Sequence, residues 1–220
     1  MAYDLVVIGT SWGGLHAMRK VLVGLPPNFD VPIIVIQHRH RDSDHLLVSL
    51  LQEHTTMRVQ EVEDKTEIER GRIYIAPPDY HVLVDRGTLA LSTDEPVRYS
   101  RPSIDVTFES AADAYAASSI GVVMTGANDD GSRGLRRIAD RGGRAVIQDP
   151  STADSAVMPA AALRAVPNAD VIKLDEIGAY LGKLSTAGML GEREAARAER
   201  EKSRAAKRDE SQRMDRGMAS

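Results

Sequence analysis

Three side chains that together can carry out nucleophilic catalysis follow three short apolar segments of the chain. Ser11 follows the run 5–8, His38 follows the run 33–36, and Asp130 lies in the loop after the run 120–124. In a triad of this kind the serine attacks a carbonyl carbon, the histidine carries its proton, and the aspartate orients the histidine. These residues therefore predict acyl transfer by a serine hydrolase, provided that the fold brings the three segment ends together.

The segments around these residues predict an α/β domain. Short apolar runs typical of buried strands alternate with segments of helical spacing: strands at 5–8, 33–36, 58–62, 72–76, 120–124, 144–148 and 170–174, and helices at 13–25, 46–53, 103–115, 131–141, 160–165 and 176–184. Two further segments, 81–84 and 88–91, predict a hairpin. We therefore expect a doubly wound, Rossmann-like, mainly parallel sheet flanked by helices, with an antiparallel hairpin at one edge.

In such a sheet, ligands bind at the carboxyl ends of the strands, which is where all three residues are expected. Gly13 and Gly14 leave room for a substrate carbonyl to approach Ser11. The helix that begins there directs backbone N–H groups toward a developing oxyanion. Ser103 is the expected N-cap of the helix 103–115.

The glycine-rich segment has two other interpretations. Gly9, Ser11 and Gly13 match the nucleophile elbow of α/β-hydrolases, but there the triad order is Ser, Asp, His, whereas here it is Ser, His, Asp. A dinucleotide site needs glycine where Ser11 stands and an acidic residue where Gln37 and His38 stand. A non-catalytic or cofactor-binding Rossmann-like module is the remaining alternative.

Composition narrows the remaining classes of function. The 220 residues carry a formal net charge of −4 and include no cysteine. This charge gives no electrostatic footprint for nucleic acid, and the absence of cysteine excludes disulfides and a cysteine nucleophile. No run approaches the roughly 20 apolar residues of a membrane span, and no signal peptide is recognisable. We expect a cytoplasmic protein with no membrane insertion.

The chain is expected to hold one domain followed by a tail. Residues 1–190 form the predicted catalytic domain, whereas 191–220 are dominated by Glu, Arg, Lys and Ala, which predicts a disordered tail or a solvated helix. His40 and His45 lie near His38 but in a strongly polar segment, where solvent exposure is the better interpretation. We therefore expect neither a metal nor a cofactor.

Six segments occur together in the order typical of one known family: VIGTSWGG at 7–14, IVIQH at 34–38, IYIAPPDYH at 73–81, RPSID at 101–105, GVVMTGANDDG at 121–131 and QDPSTADSAVMP at 148–159. The chain thereby resembles the catalytic domain of chemotaxis-type protein-glutamate methylesterases, the CheB family. The resemblance implies hydrolysis of methyl esters on glutamate side chains of receptor helices, and deamidation of certain receptor glutamines.

On this resemblance the family's nucleophile falls on Ser11 and its base on His38. The orienting acid falls on Asp130 and not on Asp129, because the family's acid stands directly before a glycine, here Gly131. No cofactor is implied.

The resemblance also assigns less certain positions and shows departures. Ala127 holds the place of the methionine in the family's Thr-Gly-Met turn and still offers a backbone N–H near the oxyanion. His81 matches a histidine near the family's cleft. Trp12 stands where the family often has a smaller residue, so the indole could narrow the substrate range. No phosphoreceiver segment precedes the domain, so we expect constitutive activity, a regulatory partner in trans, or a role outside standard chemotaxis.

Overall fold

The computed structural model describes residues 3–38 and 46–186. The strands are β1 Leu5–Thr10, β2 Ile33–Gln37, β3 Arg58–Glu61, β4 Thr66–Glu67, β5 Arg72–Ile75, β6 His81–Asp85, β7 Thr88–Ser92, β8 Ser119–Val123, β9 Arg144–Gln148 and β10 Asp170–Ile172. The helices are α1 Gly14–Gly24, α2 Leu46–Gln52, α3 Ile104–Tyr115, α4 Ser132–Asp140 and α5 Val157–Ala165, followed by α6 at residues 177–186.

Seven strands form one parallel sheet in the order β10-β9-β8-β1-β2-β5-β3. After β1 the chain places β2, β3 and β5 on one side of β1. It then crosses back and places β8, β9 and β10 on the other side. The point where the strand order reverses therefore lies beside β1, and it is where ligands bind in sheets of this kind. The predicted doubly wound sheet is confirmed.

Helices cover both faces of the sheet because its strands are apolar on both faces. In β1, Leu5 and Val7 pack into the core beneath α3 and α4, whereas Val6 and Ile8 pack into the core beneath α1 and α6. All four side chains are fully buried. The central strand is thus held from two sides, which fixes the position of the residue that follows it, Ser11.

The predicted hairpin is present, but it does not extend the large sheet. β6 and β7 pair antiparallel, and β7 also pairs with β4 in a separate three-stranded sheet. The hairpin cannot pair with β5, the strand before it, because β5 lies between β2 and β3 and offers no free edge. The hairpin packs on α3 instead, where Thr107 Oγ1 donates to the Val82 carbonyl at 2.8 Å.

Several sequence-based expectations lie outside the described residues. These are the polar segment 39–45, with His40 and His45, and the tail predicted at 191–220. Among residues 3–38 and 46–186, none of the helices has the length and apolar character needed to cross a membrane.

Candidate active site

Ser11, His38 and Asp130 meet at the carboxyl edge of the large sheet, as the sequence predicted. Ser11 follows β1, His38 follows β2, and Asp130 ends the loop after β8. Backbone bonds tie the strand ends together beyond the sheet: Ser11 N–H donates to the Thr125 carbonyl at 2.9 Å, and His38 N–H donates to the Thr10 carbonyl at 3.1 Å. The neighbouring positions of β1, β2 and β8 thus bring the three residues together.

The imidazole of His38 is held by Asp130. His38 Nε2 lies 2.8 Å from Asp130 Oδ2, and the side chains are 13% and 1% exposed. At the other ring nitrogen, Asn128 Nδ2 lies 3.4 Å from His38 Nδ1. Because the carboxylate can only accept and the amide nitrogen can only donate, these contacts select the neutral tautomer with the proton on Nε2. His38 Nδ1 is then the atom able to take up a proton.

Asp130 is itself fixed by the N-terminus of α3. Its carboxylate accepts hydrogen bonds from Ile104 N–H at 2.7 Å, from Asp105 N–H at 3.0 Å and from Ser103 Oγ at 3.0 Å. Burial raises the pKa of Asp130, but the hydrogen bonds from His38 and from these backbone groups outweigh it, and the net pKa is lowered. The ionised carboxylate therefore stabilises the fold, a contribution that is lost as the pH falls through the lowered pKa.

A second buried carboxylate, Asp105, joins α3 to α4. Its Oδ1 accepts from Gly134 N–H at 2.7 Å. Burial raises the pKa of Asp105, the Gly134 bond opposes this rise, and the negative charge of Asp130 adds to it. Asp105 thereby links α3, which holds the Asp130 carboxylate, to α4, which follows Asp130 in the chain.

Asp129, the neighbour of Asp130, has a different partner. Its Oδ2 lies 2.6 Å from Arg98 Nη1, and the side chain is 56% exposed. The hydrogen bond with Asp129 raises the pKa of the Arg98 guanidinium. The geometry thus assigns the contact with His38 to Asp130 and leaves Asp129 in a surface ion pair.

The main chain at Ser11 is fixed, whereas its hydroxyl is not. The Ser11 carbonyl accepts from Gln37 Nε2 at 2.8 Å and from Gly14 N–H at 2.9 Å. Its Oγ makes no hydrogen bond within the described part of the chain, and the residue is partly exposed. A Cβ on Gly14 would lie 2.0 Å from Gln37 Oε1, so this close approach requires glycine. The hydroxyl is left available for a substrate.

The backbone segments next to Ser11 offer candidate hydrogen-bond donors. A Cβ on Gly126 would lie 3.0 Å from the Ser11 Cβ, so the loop after β8 passes directly beside the serine. Gly126 N–H donates to the Ser155 carbonyl at 3.1 Å, whereas the N–H groups of Trp12, Gly13 and Ala127 donate to no described residue. These groups are candidates for stabilising an oxyanion.

Trp12 and Gly13 shape the opening beside Ser11. The Trp12 side chain is 70% exposed, and its carbonyl accepts from Thr125 Oγ1 at 2.8 Å. Gly13 adopts a φ of 77°, and a Cβ there would lie 2.3 Å from Asp154 Oδ2. The glycine is thus required both by its backbone conformation and by the carboxylate packed against it.

His81 lies behind the site and not on the cleft surface. The residue is 1% exposed; its Nδ1 accepts from Ser103 N–H at 3.1 Å, and its Nε2 lies 3.2 Å from the Glu95 carbonyl. Ser103 in turn donates its hydroxyl to Asp130. His81 therefore contacts the N-cap residue of the helix that holds Asp130.

Sequence reasoning missed Asn128 and Gln37 as site residues. Asn128 contacts His38 and also accepts from Asp130 N–H at 3.1 Å. Gln37 bonds the carbonyls of Ser11 and His38. Both lie inside segments that the sequence had singled out, Gln37 directly before His38 and Asn128 two residues before Asp130. This position is the signal that could have identified them.

Comparison with known proteins identifies the same family that the sequence motifs resemble. The family model described as CheB methylesterase matches residues 6–181. A Leptospira interrogans protein, named provisionally as a protein-glutamate methylesterase/protein-glutamine glutaminase, is 44% identical over 178 residues, covering 80% of this chain and 92% of its own. The protein-glutamate methylesterase FrzG of Myxococcus xanthus is 37% identical over 180 residues, 81% of this chain and 54% of its own.

A solved structure agrees with these relatives. The Thermotoga maritima CheB methylesterase catalytic domain matches with a TM-score of 0.78 and 30% identity, over 84% of this chain and all of that domain. The family-model match at residues 6–181 includes Ser11, His38 and Asp130. The chain belongs to the CheB methylesterase family.

Proposed function

We propose that this protein hydrolyses the γ-methyl esters of glutamate side chains in proteins, with Ser11 as nucleophile, His38 as base and Asp130 as orienting acid. The observation that carries the proposal is the 2.8 Å contact of His38 with the buried Asp130, next to the partly exposed Ser11. Family membership supports the same reaction. Receptor proteins with methylated glutamates are the proposed substrates.

Acylation begins when Ser11 Oγ attacks the ester carbonyl carbon while its proton passes to His38 Nδ1. Asp130 stabilises the doubly protonated imidazole through Nε2. The tetrahedral oxyanion is met by backbone N–H groups; those of Trp12 and Ala127, which donate to none of the described residues, are the candidates. When the intermediate collapses, the His38 proton passes to the leaving methoxide, methanol departs, and a glutamyl ester of Ser11 remains.

Deacylation repeats these steps with water. His38 Nδ1 takes a proton from a water molecule, the resulting hydroxide attacks the acyl-enzyme, and the proton returns to Ser11 Oγ as the glutamate carboxylate is released. A glutamine side chain would follow the same route with ammonia in place of methanol, consistent with the glutaminase activity in the names of several relatives. No step calls for a metal or a cofactor.

The direct test is methanol release from a peptide that contains one glutamate γ-methyl ester. We expect the purified protein to release one methanol per ester and to convert the residue to glutamate, as measured by mass spectrometry. The peptide without enzyme provides the background rate. Release no faster than this background, from both the peptide and a single-residue glutamate methyl ester, would contradict the proposed function.

The position of His81 predicts different outcomes for two conservative replacements. In His81→Asn the amide oxygen can replace Nδ1 as the acceptor for the buried Ser103 N–H, whereas His81→Gln replaces only the bond to the exposed Glu95 carbonyl. Leaving Ser103 N–H unsatisfied should cost about 1–3 kcal/mol of unfolding free energy. We expect His81→Gln to lose more stability and more kcat than His81→Asn.

Urea unfolding and steady-state kinetics of the two variants check this prediction. Because the lost acceptor acts through Ser103 on Asp130, the loss should fall on kcat more than on KM. Equal losses in the two variants would show that His81 contributes only bulk to the core.

A further inference from the structure

A two-residue turn beside the site combines a strained backbone with a fully exposed aromatic side chain. Val97 and Ser100 exchange backbone hydrogen bonds of 3.1 and 2.9 Å. Between them Arg98 and Tyr99 adopt φ values of 49° and 63°, where glycine or asparagine is the usual choice. Tyr99 is fully exposed, so burial does not offset the strain. Strain retained without a packing gain is typical of functional segments.

The turn is fastened to the loop that carries the triad acid. Arg98 Nη1 lies 2.6 Å from Asp129 Oδ2, and Asp129 directly precedes Asp130, which holds His38. The base of the turn is also fixed, because Arg101 donates to Asp79 Oδ1 at 2.7 Å and to the Thr93 carbonyl at 2.9 Å. Tyr99 is therefore presented from a turn that is tied to neighbouring segments at its tip and at its base, on the Asp130 side of the site.

A glutamate side chain is short, so its ester carbonyl reaches Ser11 only if the substrate's backbone crosses the mouth of the site. Residues flanking the esterified glutamate must then contact the groups that project around that mouth. Exposed aromatic residues on rigid supports contribute much of the energy at protein interfaces, because little entropy is lost when they are covered.

On the basis of the proposed function, we propose that the turn 97–100 is a docking element, and that Tyr99 contacts the polypeptide that carries the ester. Tyr99 would then determine the preference for an ester within a polypeptide over the same ester on a single residue. Tyr99 itself would not contact the reacting atoms.

Replacement of Tyr99 by glycine tests this role without damaging the fold. Glycine accommodates a φ of 63° better than tyrosine, so Tyr99→Gly should not lower the melting temperature. Lys65→Gly is the matched control, because Lys65 is also exposed and also has a φ of 63°, but lies in the turn before β4. Each protein is assayed on a peptide containing one glutamate γ-methyl ester and on N-acetyl-glutamate γ-methyl ester N-methylamide.

We expect the ratio of kcat/KM for the peptide to that for the single-residue ester to fall about tenfold in Tyr99→Gly, mainly through KM. Lys65→Gly should keep the wild-type ratio. An unchanged ratio in Tyr99→Gly would overturn the docking role, and if self-association were lost at the same time, the turn would belong to a contact between copies. A wild-type protein inactive on both esters would instead remove the proposed function, and the docking role with it.

Discussion

Replacing Ser11 with alanine should reduce turnover of a glutamate methyl ester by about 10⁶-fold, the scale seen when a triad nucleophile is removed. The reason is that Ser11 Oγ is the only group proposed to form the acyl-enzyme. Stability should change little, because this hydroxyl is partly exposed and bonds no described residue. The rate of methanol release, together with thermal unfolding of the same preparation, measures both effects.

Ser49→Ala provides a matched control for this substitution. Ser49 is an exposed serine in α2 whose hydroxyl, among the described residues, donates to the Leu46 carbonyl alone, so its loss should leave turnover unchanged. His38→Ala should be as inactive as Ser11→Ala, because the base and the nucleophile act as a unit. A Ser11→Ala protein with turnover near the wild-type rate would exclude Ser11 as the nucleophile.

Asp130→Asn should lower turnover by about 10⁴-fold, whereas Asp129→Asn should have a small effect. Asparagine at position 130 can still accept the Asp105 N–H with its amide oxygen. Its amide nitrogen then takes the place of Oδ2, donates toward His38 Nε2 and leaves the Ile104 N–H without its acceptor. The imidazole then carries its proton on Nδ1, the atom that must receive the proton from Ser11. Asp129 bonds Arg98 at the surface, so its replacement leaves the His38 contact in place.

The two variants are assayed side by side on the same ester, with urea unfolding to show that each is folded. Asp130→Asn will also lose some stability, because the Asp130 carboxylate accepts charge-assisted bonds at the α3 N-terminus. The comparison is therefore made on the folded fraction. A severe loss in Asp129→Asn with normal turnover in Asp130→Asn would reverse the assignment of the acid.

The parts of the fold that local patterns determine could be predicted from the sequence. The strands β1, β2 and β8 are runs of apolar, mainly β-branched residues, and parallel strands deliver the residues after them to one edge. The sequence predicts Ser103 as the cap of α3, and its hydroxyl does accept the Val106 N–H, at 3.5 Å. The sequence did not reveal that the same hydroxyl donates to Asp130, because that contact spans 27 positions of the chain.

Features that depend on distant contacts could not be predicted. β4 has two residues, too few to show a period, and it exists because Thr66 and Glu67 pair with β7. The hairpin was predicted correctly, but its predicted place at an edge of the large sheet was wrong, since β5 lies inside that sheet and the hairpin pairs with β4 instead. Asn128 and Arg98 likewise gain their importance from partners that only the folded chain brings near, namely His38 and Asp129.

The central claim, that Ser11 is an activated nucleophile, is tested most directly by a fluorophosphonate probe, which reacts with serines activated in this way. After labelling and digestion, mass spectrometry should find one phosphonyl adduct, on the peptide that contains Ser11. Ser11→Ala and His38→Ala should remain unlabelled, whereas Asp129→Asn should be labelled like the wild type. A folded, esterase-active wild-type protein that carries the adduct on another serine, or carries none, would contradict the account.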